Sequence, residues 1–204
     1  MKRSLRSRAF PPRRGEGFSL VEMVVSLAVL LVLSAIAIPT LMRAYRSYLL
    51  GDASARVAGI FKFTRFEAIR KNTPISCQVK QVGTNWIVWT DYNGNGNPDS
   101  TEAQVVITGI VTLLPSGSVP GTASIVSALG SASPGLTTIP GSVTSVSYDG
   151  RGAVNFVANP PAVYILFLGN TTIPNFGARA VVLLPSGIVQ VWTVGAANNW
   201  TRVS

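Results

Sequence analysis

Residues 17–42 read GFSLVEMVVSLAVLLVLSAIAIPTLM, and the reading of this stretch decides the fold. Phe18 to Met42 spans 25 residues, of which Glu22 alone is charged; Met23 to Ile38 is mostly Val, Leu, Ala and Ile. At about 1.5 Å per residue the segment is about 37 Å long as a helix, enough to cross a hydrocarbon core of about 30 Å. Pro39 lies inside the run, and its missing N–H predicts a kink or a local opening of the helix. A carboxylate in this setting needs a partner, because an unpaired one costs about 2.5–3.5 kcal/mol near the bilayer centre on insertion scales. Glu22 is therefore the residue to explain.

The flanks orient the segment. Met1 to Gly17 holds Lys2, Arg3, Arg6, Arg8, Arg13 and Arg14 against Glu16, a net charge of +5, with Pro11-Pro12 and no apolar run. Positive residues before a span keep its N-terminus in the cytoplasm. Three readings fit. The segment is a plain single-pass anchor; or it is a secretory signal cut at Ala35-Ile36-Ala37; or the chain is cut between Gly17 and Phe18, which places a free α-amine four residues before Glu22.

At these residues the sequence resembles a known family. Gly17-Phe18-Ser19-Leu20-Val21-Glu22 is similar to the processing site of type IV pilins and type II secretion pseudopilins. Four features coincide: a basic leader, Gly-Phe, Glu five residues into the mature chain, and an immediate apolar run. Ordinary secretory signals are cut after their apolar region and not before it. The resemblance implies cleavage after Gly17 by a prepilin peptidase, N-methylation of Phe18, and pairing of Glu22 with the terminal amine of a neighbouring subunit. It also implies the partners: the peptidase, other pilin or pseudopilin subunits in a filament, and inner-membrane lipid before assembly. The chain would be a single-pass protein of the bacterial inner membrane with its C-terminal domain extracytoplasmic, and then a structural filament subunit; the alternative is a minor pilin whose exposed domain binds DNA or a secreted protein.

Beyond the membrane the helical pattern continues. Ala53, Val57, Ile60, Phe61, Thr64 and Ala68 share one face at 100° per residue, which predicts packing on a globular domain. Phe63, Phe66 and Ile69 lie on the opposite side and need another partner, either a filament neighbour or a domain that wraps the helix more fully. Gly51 and Gly59 argue against unbroken helicity, and Asn72-Thr73-Pro74 ends the helix. The stem carries Arg43, Arg46, Arg56, Lys62, Arg65, Arg70 and Lys71 against Asp52 and Glu67. A solvated face with lipid-headgroup contact by Arg43 and Arg46 is favoured over a nucleic-acid surface, because no aromatic residues interleave the charges on a loop or sheet.

From Pro74 the chain turns into short β-rich runs separated by Gly, Pro, Ser and Asn. The expected strands are 75–81, 86–91, 105–113, 143–148, 153–157, 163–168, 178–184 and 188–193. No helical period persists, so the domain is expected to be a β-sandwich or wrapped antiparallel sheet. Gly121 to Gly141 is small and polar and reads as a long surface excursion with one weak strand. Leu113-Leu114-Pro115-Ser116-Gly117 recurs as Leu183-Leu184-Pro185-Ser186-Gly187, and Tyr148-Asp149-Gly150-Arg151-Gly152 is a third turn of the same kind. These read as hairpin turns in which Gly supplies φ > 0. A long N-terminal helix before such a domain resembles the GspH/FimT-type minor pseudopilins, as does the strand and Asp/Asn/Gly loop from Trp86 to Gly96. The cysteine pair of many major pilins is missing, since Cys77 is the sole cysteine.

One constellation carries site chemistry. Asp91, Asn93, Asn95, Gly96 and Glu102 match the Ca²⁺-loop template D-x-[DN]-x-[DN]-G-x5-E at every specified position. Asp91, Asn93 and Asn95 offer side-chain oxygens, Asn97 its carbonyl, Asp99 a direct or water-mediated oxygen, and Glu102 two oxygens. Against this, the loop follows a strand-like run and not a helix, and Pro98 stands at the eighth place. The competing reading is an Asn/Gly hairpin loop bonded to its own backbone.

The remaining composition excludes much. The 204 residues include no His, so Ser-His-Asp and Cys-His catalysis are out. One Cys cannot form an internal disulfide, and no G-x-S-x-G, phosphate-loop or S-x-x-K signature is present. The net charge of +9 divides into +5 for residues 1–17, −1 for 18–42, +5 for 43–71 and 0 for 72–204. It is a signal of membrane orientation more than of nucleic-acid binding. The expected architecture is α+β: a leader at 1–17, a transmembrane and stem helix at 18–71 kinked at Pro39, and a β-rich domain at 72–204.

Overall fold

Leu20–Lys71 forms one helix, α1, and it stays helical through Pro39, Gly51 and Gly59. The computed structural model describes residues 17–119, 121–129, 136–141, 144–155, 163–173, 176–195 and 198–203; the expected leader, apart from Gly17, lies outside them. The chain divides into two units, Met1–Met42 and Arg43–Ser204. In the first, Thr40 Oγ1 donates to the Ile36 carbonyl at 3.2 Å, one residue past the proline. Among the described residues of this unit, no apolar side chain is buried.

The second unit is built on the rest of α1. Its inward face comprises Leu50, Ser54, Val57, Ala58, Ile60, Phe61, Thr64, Glu67 and Ala68, which includes the expected stripe except for half-buried Ala53. That face covers an antiparallel sheet of order β3-β2-β1-β6, formed by β1 (Ile75–Val82), β2 (Asn85–Asp91), β3 (Gln104–Ile107) and β6 (Ser145–Tyr148). Strand alternation does the sorting. Ile75, Cys77 and Val79 of β1 are buried toward the helix, while Lys80, on the other face, is exposed.

The second sheet has the order β10-β9-β8-β7-β4, from β4 (Thr112–Leu114), β7 (Val163–Gly169), β8 (Ala178–Leu183), β9 (Val189–Val194) and β10 (Trp200–Arg202). Strand β7 is a continuous apolar run because both its faces are covered. Leu166 and Leu168 join Phe61, Val88 and Val146 in the main core. Ile165 and Phe167 face a second core with Ile125 of a short helix, α2 (Ala123–Leu129), and with Trp200. Fully burying side chains of this size contributes about 1.5–3 kcal/mol each.

Several expectations are corrected. The run 105–113 is two strands, not one. The chain turns through Gly109 at φ +81°, which moves it from the first sheet (β3) to the second (β4). The 121–141 excursion holds α2, whose seven residues are too short to display a period. It also holds β5 (Leu136–Thr138), which pairs parallel to β7 and so departs from a purely antiparallel sheet. β4 and β5 share one edge of β7, opposite 167–169 and 163–165 respectively. Of the expected strand 153–157, Val154 makes a single bridge to Tyr148, and residues 156–157 lie outside the described ones, as does Val143. Gly187 has the expected positive φ (+78°), but its repeat partner Gly117 does not, because 116–118 is a 3-10 turn. β10 was not expected; only Trp200 of its three residues is buried.

Candidate functional site

Two places on the chain were singled out by sequence. The first is the N-terminal end of α1. Gly17, Phe18 and Ser19 precede the helix, and the Met23 amide donates to the Ser19 carbonyl at 3.0 Å, closing the first turn. Glu22 sits in that first turn, where a negative charge also favours the unpaired N–H groups of the helix end. Phe18 is 75% exposed and Leu20, Val21, Leu30 and Leu33 are each above 60%. This helix is long and apolar enough to cross a membrane, by length and composition. A soluble helix hides one stripe; here, from Leu20 to Met42, the described apolar side chains are exposed all round the helix.

The second place is the loop between β2 and β3. Asp91 ends β2 and is buried. Its Oδ2 accepts from Gln78 Nε2 at 3.1 Å and from the Gly96 amide at 3.1 Å. The Asn95 amide donates to Asn93 Oδ1 (2.9 Å) and the Asn97 amide to Asn95 Oδ1 (2.7 Å), two successive Asx turns. Asp99 Oδ2 accepts from Asn93 Nδ2 at 2.7 Å and from Asn95 Nδ2 at 3.1 Å. Glu102, also buried, accepts from the Tyr92 amide on Oε1 and from the Asp99 amide on Oε2. The sequence-predicted residues thus fold into one loop, tied largely to its own backbone. Among the described residues no three His, Cys, Asp or Glu side chains form a ready metal cluster.

Comparison with protein families decides the affiliation. The family model described as type II transport protein GspH matches residues 53–201, most of the chain. The chain belongs to the GspH family. The prokaryotic N-terminal methylation motif matches residues 12–38, which brackets Gly17, Phe18 and Glu22. Two crystal forms of the type IV minor pilin FimU of Pseudomonas aeruginosa (strain PAO1) are similar in structure. Each is 13% identical with a TM-score of 0.45 and covers 70% of this chain and 87% or 91% of that one. A comparison with curated protein sequences finds no match. As a GspH-family protein with a methylation motif, the chain is a structural subunit of pilin or pseudopilin type and not an enzyme.

In this GspH-family chain the helix side opposite the core is partly met by the chain's own loop. Phe63 packs edge-on against Tyr92 (centroids 6.5 Å, 85°), and Lys71 Nζ stands 4.3 Å over the same ring. Phe66 stays 60% exposed. Of the two explanations for the second stripe, wrapping by the domain therefore serves Phe63, and Phe66 is left over. Burial raises the pKa of Tyr92, with the charge of Glu67 adding to it.

Two polar features went unread in the sequence. Glu67 is buried and bidentately paired with Arg70, Nε to Oε1 at 2.9 Å and Nη2 to Oε2 at 2.6 Å. The hydrogen bonds from Arg70 hold the Glu67 carboxyl below its ordinary range. The Glu-x-x-Arg spacing was the available signal. The other is a buried polar contact across the helix–sheet interface, Thr64 Oγ1 to Thr90 Oγ1 at 2.8 Å. No sequence pattern announces it, since its partners are 26 residues apart.

Proposed function

We propose that the chain is made as a precursor, cut after Gly17 by a prepilin peptidase, methylated on Phe18, and assembled into a type II secretion pseudopilus or type IV pilus. Assembly proceeds through the packing of the Phe18–Ile38 helix with its counterparts. Before assembly the same helix sits in inner-membrane lipid, with the basic leader on the cytoplasmic side and the β domain outside. The observation that carries this reading is the fully apolar, uncovered helix surface with one carboxylate, Glu22, four residues from the new terminus. In a filament core that carboxylate offsets the α-amine of a neighbour; without it one charge would lie unpaired in an apolar setting. Pro39 removes one rung of the helix ladder and supplies the place where membrane segment and stem can bend.

The test is Glu22→Ala in the native host. Cleavage and methylation, read by mass spectrometry of the N-terminal peptide, should be retained, while the subunit disappears from the sheared filament fraction. Normal incorporation of the variant would refute the pairing. A gel shift with DNA separates this reading from DNA capture by the exposed domain: an assembly subunit shows no salt-sensitive binding.

A further inference from the structure

We propose that the loop from Asp91 to Glu102 binds one Ca²⁺ ion, anchored by Asp91 Oδ1. Asp91 is only 4% exposed, yet its Oδ1 is buried without a hydrogen-bond partner among the described residues. Its companion Oδ2 is held by the Gly96 amide in the middle of the loop, so the carboxylate faces the loop backbone. A carboxylate oxygen withdrawn from water and given no donor is costly, and a cation is the ligand that relieves it.

The rest of the loop supplies the right chemistry. Asn93 Oδ1 and Asn95 Oδ1 are each fixed by one backbone amide, which leaves each a free lone pair. Asp99 and Glu102 bring two further carboxylates, and Glu102 is already braced by two amides. Lys80 Nζ donates to Asn97 Oδ1 at 3.3 Å and not to an acid of the loop. The donor set is mixed, with carboxylates interleaved by neutral amide oxygens. Ca²⁺ accepts such a set in flexible geometry; Mg²⁺ demands stricter octahedral order, and transition metals prefer the His and thiolate ligands this loop lacks. The ion would clip the end of β2 to the start of β3 and hold Tyr92 against the stem.

The test uses the full chain in detergent micelles, stripped of divalent ions with a chelator. Calorimetric titration with CaCl₂ should give a single-site isotherm, with affinity in the range of extracellular Ca²⁺ modules or tighter, Kd about 10⁻⁴–10⁻³ M or below. Thermal unfolding should shift upward with Ca²⁺, and MgCl₂ should bind at least about tenfold more weakly. Asp91→Asn should weaken Ca²⁺ binding by at least about tenfold. Asp99→Asn, at a half-buried position outside any strand, serves if Asp91→Asn does not fold, and should weaken it several-fold. Absence of heat and of any thermal shift at about 5 mM Ca²⁺ overturns the proposal. So does an isotherm unchanged in a folded Asp91→Asn or Asp99→Asn variant, which would place the ion elsewhere.

Discussion

Arg65 Nε, on the helical stem, donates a 2.8 Å hydrogen bond to the carbonyl of Gly152, in the turn that follows β6. The same turn touches the Pro185-Ser186-Gly187 turn, where the Val154 amide donates to the Pro185 carbonyl at 3.0 Å. Arg65 thereby fastens the helix to two turns that are far apart in the chain. A Cβ on Gly152 would stand 2.5 Å from Ile69 Cδ1 and 3.1 Å from Arg65 Nε, at φ +81°. Gly152→Ala should therefore destabilise the domain by about 1–3 kcal/mol. Arg65→Met should cost a similar amount, about 1.5–3 kcal/mol for a hydrogen bond to a charged group. Urea denaturation of the two single variants and the double variant should show clear non-additivity, because both act on one contact.

The buried Thr64–Thr90 pair makes a different prediction. Thr64 Oγ1 also lies 2.8 Å from the Ile60 carbonyl and donates to it, so Thr90 is the donor to Thr64. Thr64→Val strands the Thr90 hydroxyl and should cost about 1–3 kcal/mol. Adding Thr90→Val removes the stranded group along with its partner. The double variant should then be no less stable than Thr64→Val alone, and a double-mutant cycle measures the difference.

Gly59 lies in the helix with open space where a Cβ would go and an exposed surface around it. Gly59→Ala should stabilise the stem by about 0.5–1 kcal/mol, read as a rise in thermal midpoint of the full chain in detergent. If the same variant fails to enter filaments, the glycine serves close approach of a neighbour and not the fold of the monomer.

Cys77 is fully buried, and burial pushes its thiol up to about 12 from an ordinary 9.0. The folded state therefore holds the proton over a range in which the unfolded chain releases it. The stability contributed is complete below pH 9 and is lost as pH rises from 9 toward 12, at no more than about 1.4 kcal/mol per pH unit. Tyr148, raised chiefly by burial, acts in the same direction. Denaturation midpoints measured across that range should fall, and Cys77→Ala should flatten the fall. In the folded protein Cys77 should resist thiol reagents until denaturant is added.

The sequence by itself determined the helix, its apolar length, the motif residues at its N-terminal end and the core-facing stripe, because these rest on local pattern. A 25-residue run with a single charge or a 3.6-residue period needs no distant partner to be recognised. Strands 75–82, 85–91, 163–169, 178–183 and 189–194 were legible for the same reason, alternation or a continuous apolar run. Tertiary structure alone decided where 105–113 breaks, because the break depends on which sheet each half joins. It also decided where within 121–141 the one weak strand lies and that it pairs parallel, since residues 136–138 are ordered by the edge of β7. Asp91 shows the division most sharply. Its place in a Ca²⁺-type pattern is written in the chain, but the burial that leaves one oxygen unpartnered comes from strands and a loop brought together only by folding.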